Sequence, residues 1–182
     1  MLRCIYARHV RGPRKLDTEE QLRAAALRAL MRRAHSVYEM RKALERRAED
    51  ASLVRPVLDR LKRDNLLDDA RYARQFARTR AAHRKQGRFR IARELRARGV
   101  PDRHIEAALD EAFAETNEEE MLQKRLERKL KFVRGAVGER KRASLYQSLL
   151  RSGFSSDLIR RALRNAIGGA AEIPEADFAE DE

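Results

Sequence analysis

Nine cations, Arg78, Arg80, Arg84, Lys85, Arg88, Arg90, Arg93, Arg96 and Arg98, stand within 21 residues against a single acid, Glu94. That density exceeds what helix solubility requires, and guanidinium and ammonium groups so crowded suit either phosphates or an acidic protein surface. If Ile91 and Leu95 form the buried side of a helix, steps of 100° place Phe89, Arg90, Arg93 and Arg96 on the outward side. The candidate filament- or phosphate-binding set is therefore Arg84, Lys85, Arg88, Phe89, Arg90, Arg93 and Arg96. Phe89 itself has two readings. It is an apolar anchor within a contact surface, or it packs down at the helix start as a staple on the preceding turn, a role equally open to Tyr38 at the matching position earlier in the chain.

Other chemistry finds little support. The chain has no GxxxxGK[ST] loop to cradle phosphates, no GxSxG elbow and no HExxH pair. His9, His35, His83 and His104 are scattered through different segments and read as surface or boundary residues rather than general bases. Asp68 and Asp69 fall at a helix start, where free backbone N–H groups and the helix dipole account for them. Cys4 is the only cysteine, so no internal disulfide can form, and no Cys/His cluster offers metal-ligand spacing. The expectation is a protein that is no enzyme and uses no cofactor or metal. The single cysteine suits a reducing cytoplasm. No apolar run approaches the roughly 20 residues needed to span a bilayer, and the N-terminus lacks a signal-peptide core.

The elements that must position the basic tract show themselves by repetition. Met40, Leu44, Ala48, Val54 and Leu58 recur as Ile91, Leu95, Gly99, Ile105 and Leu109, and again as Leu145, Leu149, Gly153, Ile159 and Leu163. Identical internal offsets over three copies mark an array of similar units. The chain is 39% charged, 5% aromatic and without tryptophan, and Leu, Ala, Arg and Glu dominate it, so the fold class is all-α with a thin, serial core. Each copy reads as three helices, a leader followed by two that fold back on each other at a sharp turn. Gly99 and Gly153 stand where the second helix must stop and a left-handed residue is cheapest. Asp50 and Ser155 are the caps of the following helix, and Pro56 demands that this helix start late, near Ser52, or kink. The leader stripes are Leu22, Ala25, Ala26, Ala29 and Leu30, then Leu66, Tyr72, Phe76 and Thr79, then Met121, Leu122, Leu126, Leu130 and Val133. The resulting divisions are a mobile basic arm at 1–16, repeats at 17–67, 68–116 and 117–168, and a disordered acidic tail at 169–182.

The net charge is +13 although residues 172–182 carry six acids and no base, so the remainder is more basic still and favours a nucleic acid or nucleoprotein partner. The stretch Leu66-Leu67-Asp68-Asp69-Ala70-Arg71-Tyr72-Ala73, preceded by Val57-Leu58-Asp59-Arg60-Leu61, resembles the central signature of the RecX family of bacterial recombination regulators. Gly87 through Gly99, with Ile91, Glu94, Leu95 and the Arg98-Gly99 step, is similar to that family's second block. Arg33-Ala34-His35-Ser36 before Met40 and Leu44 is similar to its opening block. The likeness spans roughly residues 20–168. Ala48 and Glu49 depart from it, since the family commonly has a glycine turn there.

The resemblance implies tandem three-helix repeats in an elongated, curved array lying along the groove of the RecA–DNA filament. It implies a role in homologous recombination, DNA repair and the SOS response: limiting filament growth and thereby lowering RecA's ATPase and strand exchange. The expected partners are RecA and the RecA–DNA filament, with at most weak direct DNA binding, and the expected state is a monomer. The alternative reading of the residues is a helix-turn-helix-like DNA-binding transcriptional regulator, because helices two and three of each copy are joined by a short turn.

Overall fold

A computed structural model describes residues 15–133 and 137–167. The proposed acidic tail and most of the basic arm lie outside the described residues. Nine α-helices are found among the described residues: α1 (Glu19–Arg32), α2 (Val37–Glu45), α3 (Val54–Arg63), α4 (Asp69–Ala82), α5 (Arg88–Arg96), α6 (Asp102–Ala114), α7 (Glu118–Leu130), α8 (Glu139–Leu150) and α9 (Ser156–Ile167). No helix among them is long and apolar enough to cross a membrane. The protein is all-α, and its helices come in three successive triplets.

The chain divides into two compact units. The first ends at Tyr72 and also takes in Arg98–Val100; the second holds Ala73–Ala97 and the chain from Pro101 onward. In the first, Leu22 and Ala26 of α1, Met40 and Leu44 of α2, and Val54, Val57, Leu58 and Leu61 of α3 form one core. In the second, Met121, Leu122 and Leu126 of α7, Leu145, Tyr146 and Leu149 of α8, and Leu158, Ile159 and Leu163 of α9 close around Phe154. Every apolar member of the repeated skeleton is buried, including Ile91, Leu95, Ile105 and Leu109 of the middle copy.

Local signals set the helix ends. Thr18, Ser36 and Asn117 accept hydrogen bonds from the N–H groups of Gln21, Glu39 and Glu120. Ser36 and Glu39 complete a reciprocal capping box. Ser155 caps the last helix by accepting from Leu158 N–H, and Asp50 caps a short 3₁₀ turn, Ala51–Leu53, through Ser52 N–H. That 3₁₀ turn postpones α3 to Val54, so Pro56 falls in the first helical turn, where the missing N–H would have had no partner within the helix. Gly99 and Gly153 both take positive φ, +67° and +93°. Ala48, the counterpart in the first copy, does not.

The second leader differs from its expected stripe. Asp68 caps α4 by accepting from the N–H groups of Ala70 and Arg71, so Leu66 lies outside the helix, in a turn where Asn65 takes positive φ. Leu66 is 40% exposed and Leu67 is the buried residue. Thr79 faces solvent, and Phe76 is only half-buried. The true buried face is Tyr72 and Ala73 followed by Ala77 and Ala81, an alanine stripe at i, i+4, i+8 that hydropathy alone marks weakly.

The same carbonyl of each copy, one residue before the turn position, receives a hydrogen bond from outside its own triplet. In the first unit Ser36 Oγ donates to Arg98 O at 2.6 Å. In the second, Gly87 N–H donates to Ser152 O at 2.9 Å, and Ser36 and Gly87 occupy equivalent positions, each four residues before the skeleton residue Met40 or Ile91. In the first copy Leu16 N–H donates to Arg47 O at 2.8 Å while Glu49 N–H donates back to Leu16 O at 2.8 Å. Lys15 Nζ adds a bond to Ala48 O at 3.2 Å. Leu16 thus makes on the first copy the bond that the preceding triplet makes on the other two. At the other end α8 begins a turn earlier, and Lys141, the next counterpart of Ser36 and Gly87, donates its N–H to Gly138 O within its own helix. Replacing Leu16 with proline removes the donor to Arg47 O; a loss of about 1–3 kcal/mol in stability is expected in urea unfolding, since the acceptor is left unpaired. Unchanged stability would show that the bridge contributes nothing.

The first unit also carries a charged node. Burial alone would raise the Glu39 carboxyl, but Arg33 at 2.9 Å, the Ser36 N–H and the nearby Arg98 together hold it below its ordinary value. A carboxylate depressed in the folded state stabilises above its unfolded pKa and loses that contribution as pH falls through the folded pKa. Glu39→Gln should therefore lower Tm near neutral pH. The difference from the parent should shrink as pH is lowered toward about pH 3, which a series of thermal melts would record. A constant gap would locate the effect elsewhere.

Candidate interaction surface on helix α5

Helix α5 starts at Arg88 without a side-chain cap from its own N-cap residue, Gly87. Its first N–H groups are used by packing. Arg88 N–H donates to Glu118 Oε1 at 3.0 Å, and Phe89 N–H donates to Gly153 O at 3.0 Å. Burial raises the Glu118 carboxyl, the Arg88 N–H and guanidinium opposing it. This helix terminus is accordingly closed to an added anion.

Ile91, Ala92 and Leu95 form the buried side of α5, and Phe89, Arg93 and Arg96 share the opposite, exposed side at i, i+4, i+7. The seven candidate residues separate into two groups. Arg88, Arg90 and Arg96 are committed within the unit. Arg88 pairs with Asp110 and lies over the Phe113 ring, 5.5 Å from its centre. Arg90 is not outward as the helical wheel placed it. Its Nε lies 3.0 Å from Glu94 and its Nη1 donates to Arg151 O at 3.2 Å, so it lies along the flank that meets the α8–α9 turn. Arg96 pairs with Asp102 at 2.7 Å. Arg84, Lys85 and Arg93 are exposed and form no ion pair among the described residues. Glu94, the acid of the tract, is likewise committed. Burial would raise its carboxyl, but Arg90, Arg80 and Gln86 hold it below the ordinary value.

The aromatic residues decide between the two readings of Phe89. Tyr38 lies on the Gly99 turn so closely that a Cβ on Gly99 would fall 2.5 Å from the ring. At the matching turn of the next copy this place is taken by Arg90, since a Cβ on Gly153 would fall 2.3 Å from Arg90 Cβ. The covering residue has moved one position along the helix, and Phe89 is released. It is 65% exposed, against 37% for Tyr38. The staple expectation for Phe89 is therefore corrected, and Phe89 stands as an exposed apolar residue on the same face as Arg93.

A second basic tract escaped the reading of the sequence. Residues 121–142 hold nine cations and two acids, a density matching that of 78–98, but the apolar stripe of α7 drew attention to its core side. Phe132, just beyond α7, is the mark that could have revealed it.

An all-helical fold in repeated triplets, with charge on its exposed helix faces, places the protein in the tandem three-helix class. Residues 68–109 match the second three-helix domain of RecX, and residues 117–163 match the third. The chain is 41% identical to regulatory protein RecX of Halorhodospira halophila over 144 residues, 79% of this chain and 86% of that one. It is 33% identical to regulatory protein RecX of Thermobifida fusca over 162 residues, 89% and 86% of the two chains. The crystal structure of RecX from Lactobacillus salivarius superposes with a TM-score of 0.71 at 22% identity, covering 81% of this chain and 95% of that one, which attests the fold. This chain belongs to the RecX family of regulatory proteins.

Proposed function

We propose that the protein binds RecA and the RecA–DNA filament and restrains filament growth, lowering the ATPase and strand exchange that belong to RecA, and that Phe89, Arg93, Arg84 and Lys85 form the contact surface. The observation that carries the assignment of the surface is the release of Phe89, a ring left in solvent on the face of α5 that it shares with Arg93, a cation in no ion pair among the described residues. Aromatic and arginine side chains dominate binding energy at protein interfaces, and free cations lose no internal pairing when a partner arrives. Arg88, Arg90 and Arg96 hold α5 in place and act on the partner chiefly through their field. Within this reading the repeats run 17–67, 68–116 and 117–168, with the protein acting as a monomer in the cytoplasm.

The test is the single-strand-dependent ATPase of the cognate RecA with this protein titrated from far below one copy per RecA subunit. Inhibition at substoichiometric amounts supports action on filament growth. Inhibition that requires saturation of the DNA, and disappears when DNA is added in excess, would instead favour competition for DNA and the helix-turn-helix reading.

A further inference from the structure

Phe132 is 88% exposed, and its position is fixed by backbone bonds. Lys131 N–H donates to Glu127 O at 2.9 Å, and Val133 N–H donates to Leu130 O at 2.9 Å, so the chain makes a defined turn at the end of α7. On either side of the ring, Leu130 and Val137 pack against the core of the second unit. The fold therefore partly buries these aliphatic neighbours and leaves the phenyl group in water. Lys129 and Lys131 precede and flank it, and Arg140 and Lys141 open α8 on the other side of the connection. Lys131, Arg140 and Lys141 are exposed and Lys129 is half-buried, and none of the four forms an ion pair among the described residues.

We propose that Phe132, with Lys129, Lys131, Arg140 and Lys141, is a contact for single-stranded nucleic acid, in which the ring stacks on an unpaired base and the cations lie along the adjoining phosphates. A lone ring among cations suits a single strand because every base presents a π-face and an unpaired one is free to stack; in a duplex both faces are already covered. An acidic peptide would satisfy the cations but supplies no flat partner for the ring. This goes beyond the RecA contact on α5, since it needs no RecA and uses other residues.

The chain contains no tryptophan, so Phe132→Trp in the full-length protein creates a sole indole reporter. Titration with oligo(dT) at low salt should quench its fluorescence saturably. The apparent Kd should weaken steeply as salt is raised. An abasic oligonucleotide of equal length should bind more weakly and leave the emission nearly unchanged. In parallel, Phe132→Ala should weaken binding of labelled oligo(dT), followed by anisotropy, roughly 5- to 100-fold, with the far-ultraviolet circular dichroism unchanged. Equal quenching by poly-glutamate would overturn the proposal in favour of an acidic protein partner. Oligo(dT) binding without any change in indole emission, or with affinity unaltered by Phe132→Ala, would overturn it as well. Because these titrations omit RecA, their failure leaves the α5 surface untouched, and loss of RecA inhibition in α5 variants leaves Phe132 untouched.

Discussion

A chain carrying Phe89→Ala together with Arg93→Glu is expected to lose inhibition of the RecA ATPase, with the half-inhibitory concentration rising at least about 30-fold, equivalent to about 2 kcal/mol. The estimate rests on what these two side chains do in the free protein. Phe89 is mostly in solvent and Arg93 has no ion-pair partner among the described residues, so their replacement removes nothing the fold uses. Surface changes of this kind alter stability by about 0.5 kcal/mol or less, and thermal melting should confirm that. A partner, by contrast, would lose an apolar anchor and meet a reversed charge. Arg88→Gln and Arg96→Gln provide the contrast. Each releases an acid, Asp110 or Asp102, and should disturb the fold more and inhibition less. If the two glutamine variants abolish inhibition while the Phe89/Arg93 variant inhibits normally, the contact surface lies on the flank of α5 and the division drawn above is wrong.

That division shows where sequence stops being informative. A helical wheel orients residues about one axis, and it correctly gave Ile91 and Leu95 to the core and Phe89, Arg93 and Arg96 to solvent. It has no access to what packs alongside. Arg90 was drawn to the α8–α9 turn, and Arg88 found Asp110, 22 residues on, only because α5 and α6 fold back on each other. A count of one acid within the tract therefore overstated its free charge. The apolar skeleton and the two turn glycines were legible because burial and left-handed backbone each restrict residue type narrowly. The α4 stripe was not, since alanine is common on both faces of a helix. Nor was the role of Leu16, whose backbone does the pairing and whose side chain carries no sign of it.

The turn glycines allow the junctions to be tested directly. Gly153→Ala should be the most destabilising single-methyl addition in the second unit, at more than about 4 kcal/mol, lowering Tm on the order of 10 °C. Two costs combine. A left-handed backbone disfavours any Cβ by about 1–2 kcal/mol, and here the Cβ would also stand 2.3 Å from Arg90 Cβ and 2.5 Å from Arg90 N. Backbone cannot rotate away as a side chain can, so the start of α5 must shift. With it go the bonds from Gly87 N–H to Ser152 O and from Phe89 N–H to Gly153 O. Gly99→Ala meets the same backbone penalty at φ +67°, but its obstruction is the Tyr38 side chain, which has solvent to move into. Its cost should be smaller, and Tyr38→Ala should relieve the steric part of it without touching the backbone part. Gly138→Ala is the control. Nothing lies within 4 Å of its added carbon and its φ is −67°, so it should cost under about 1 kcal/mol as a poorer helix cap. Urea unfolding followed at 222 nm orders the three variants. If Gly153→Ala proves no worse than Gly138→Ala, the α5 junction is loose enough to give way, and the displacement of Phe89 by Arg90 loses its physical basis.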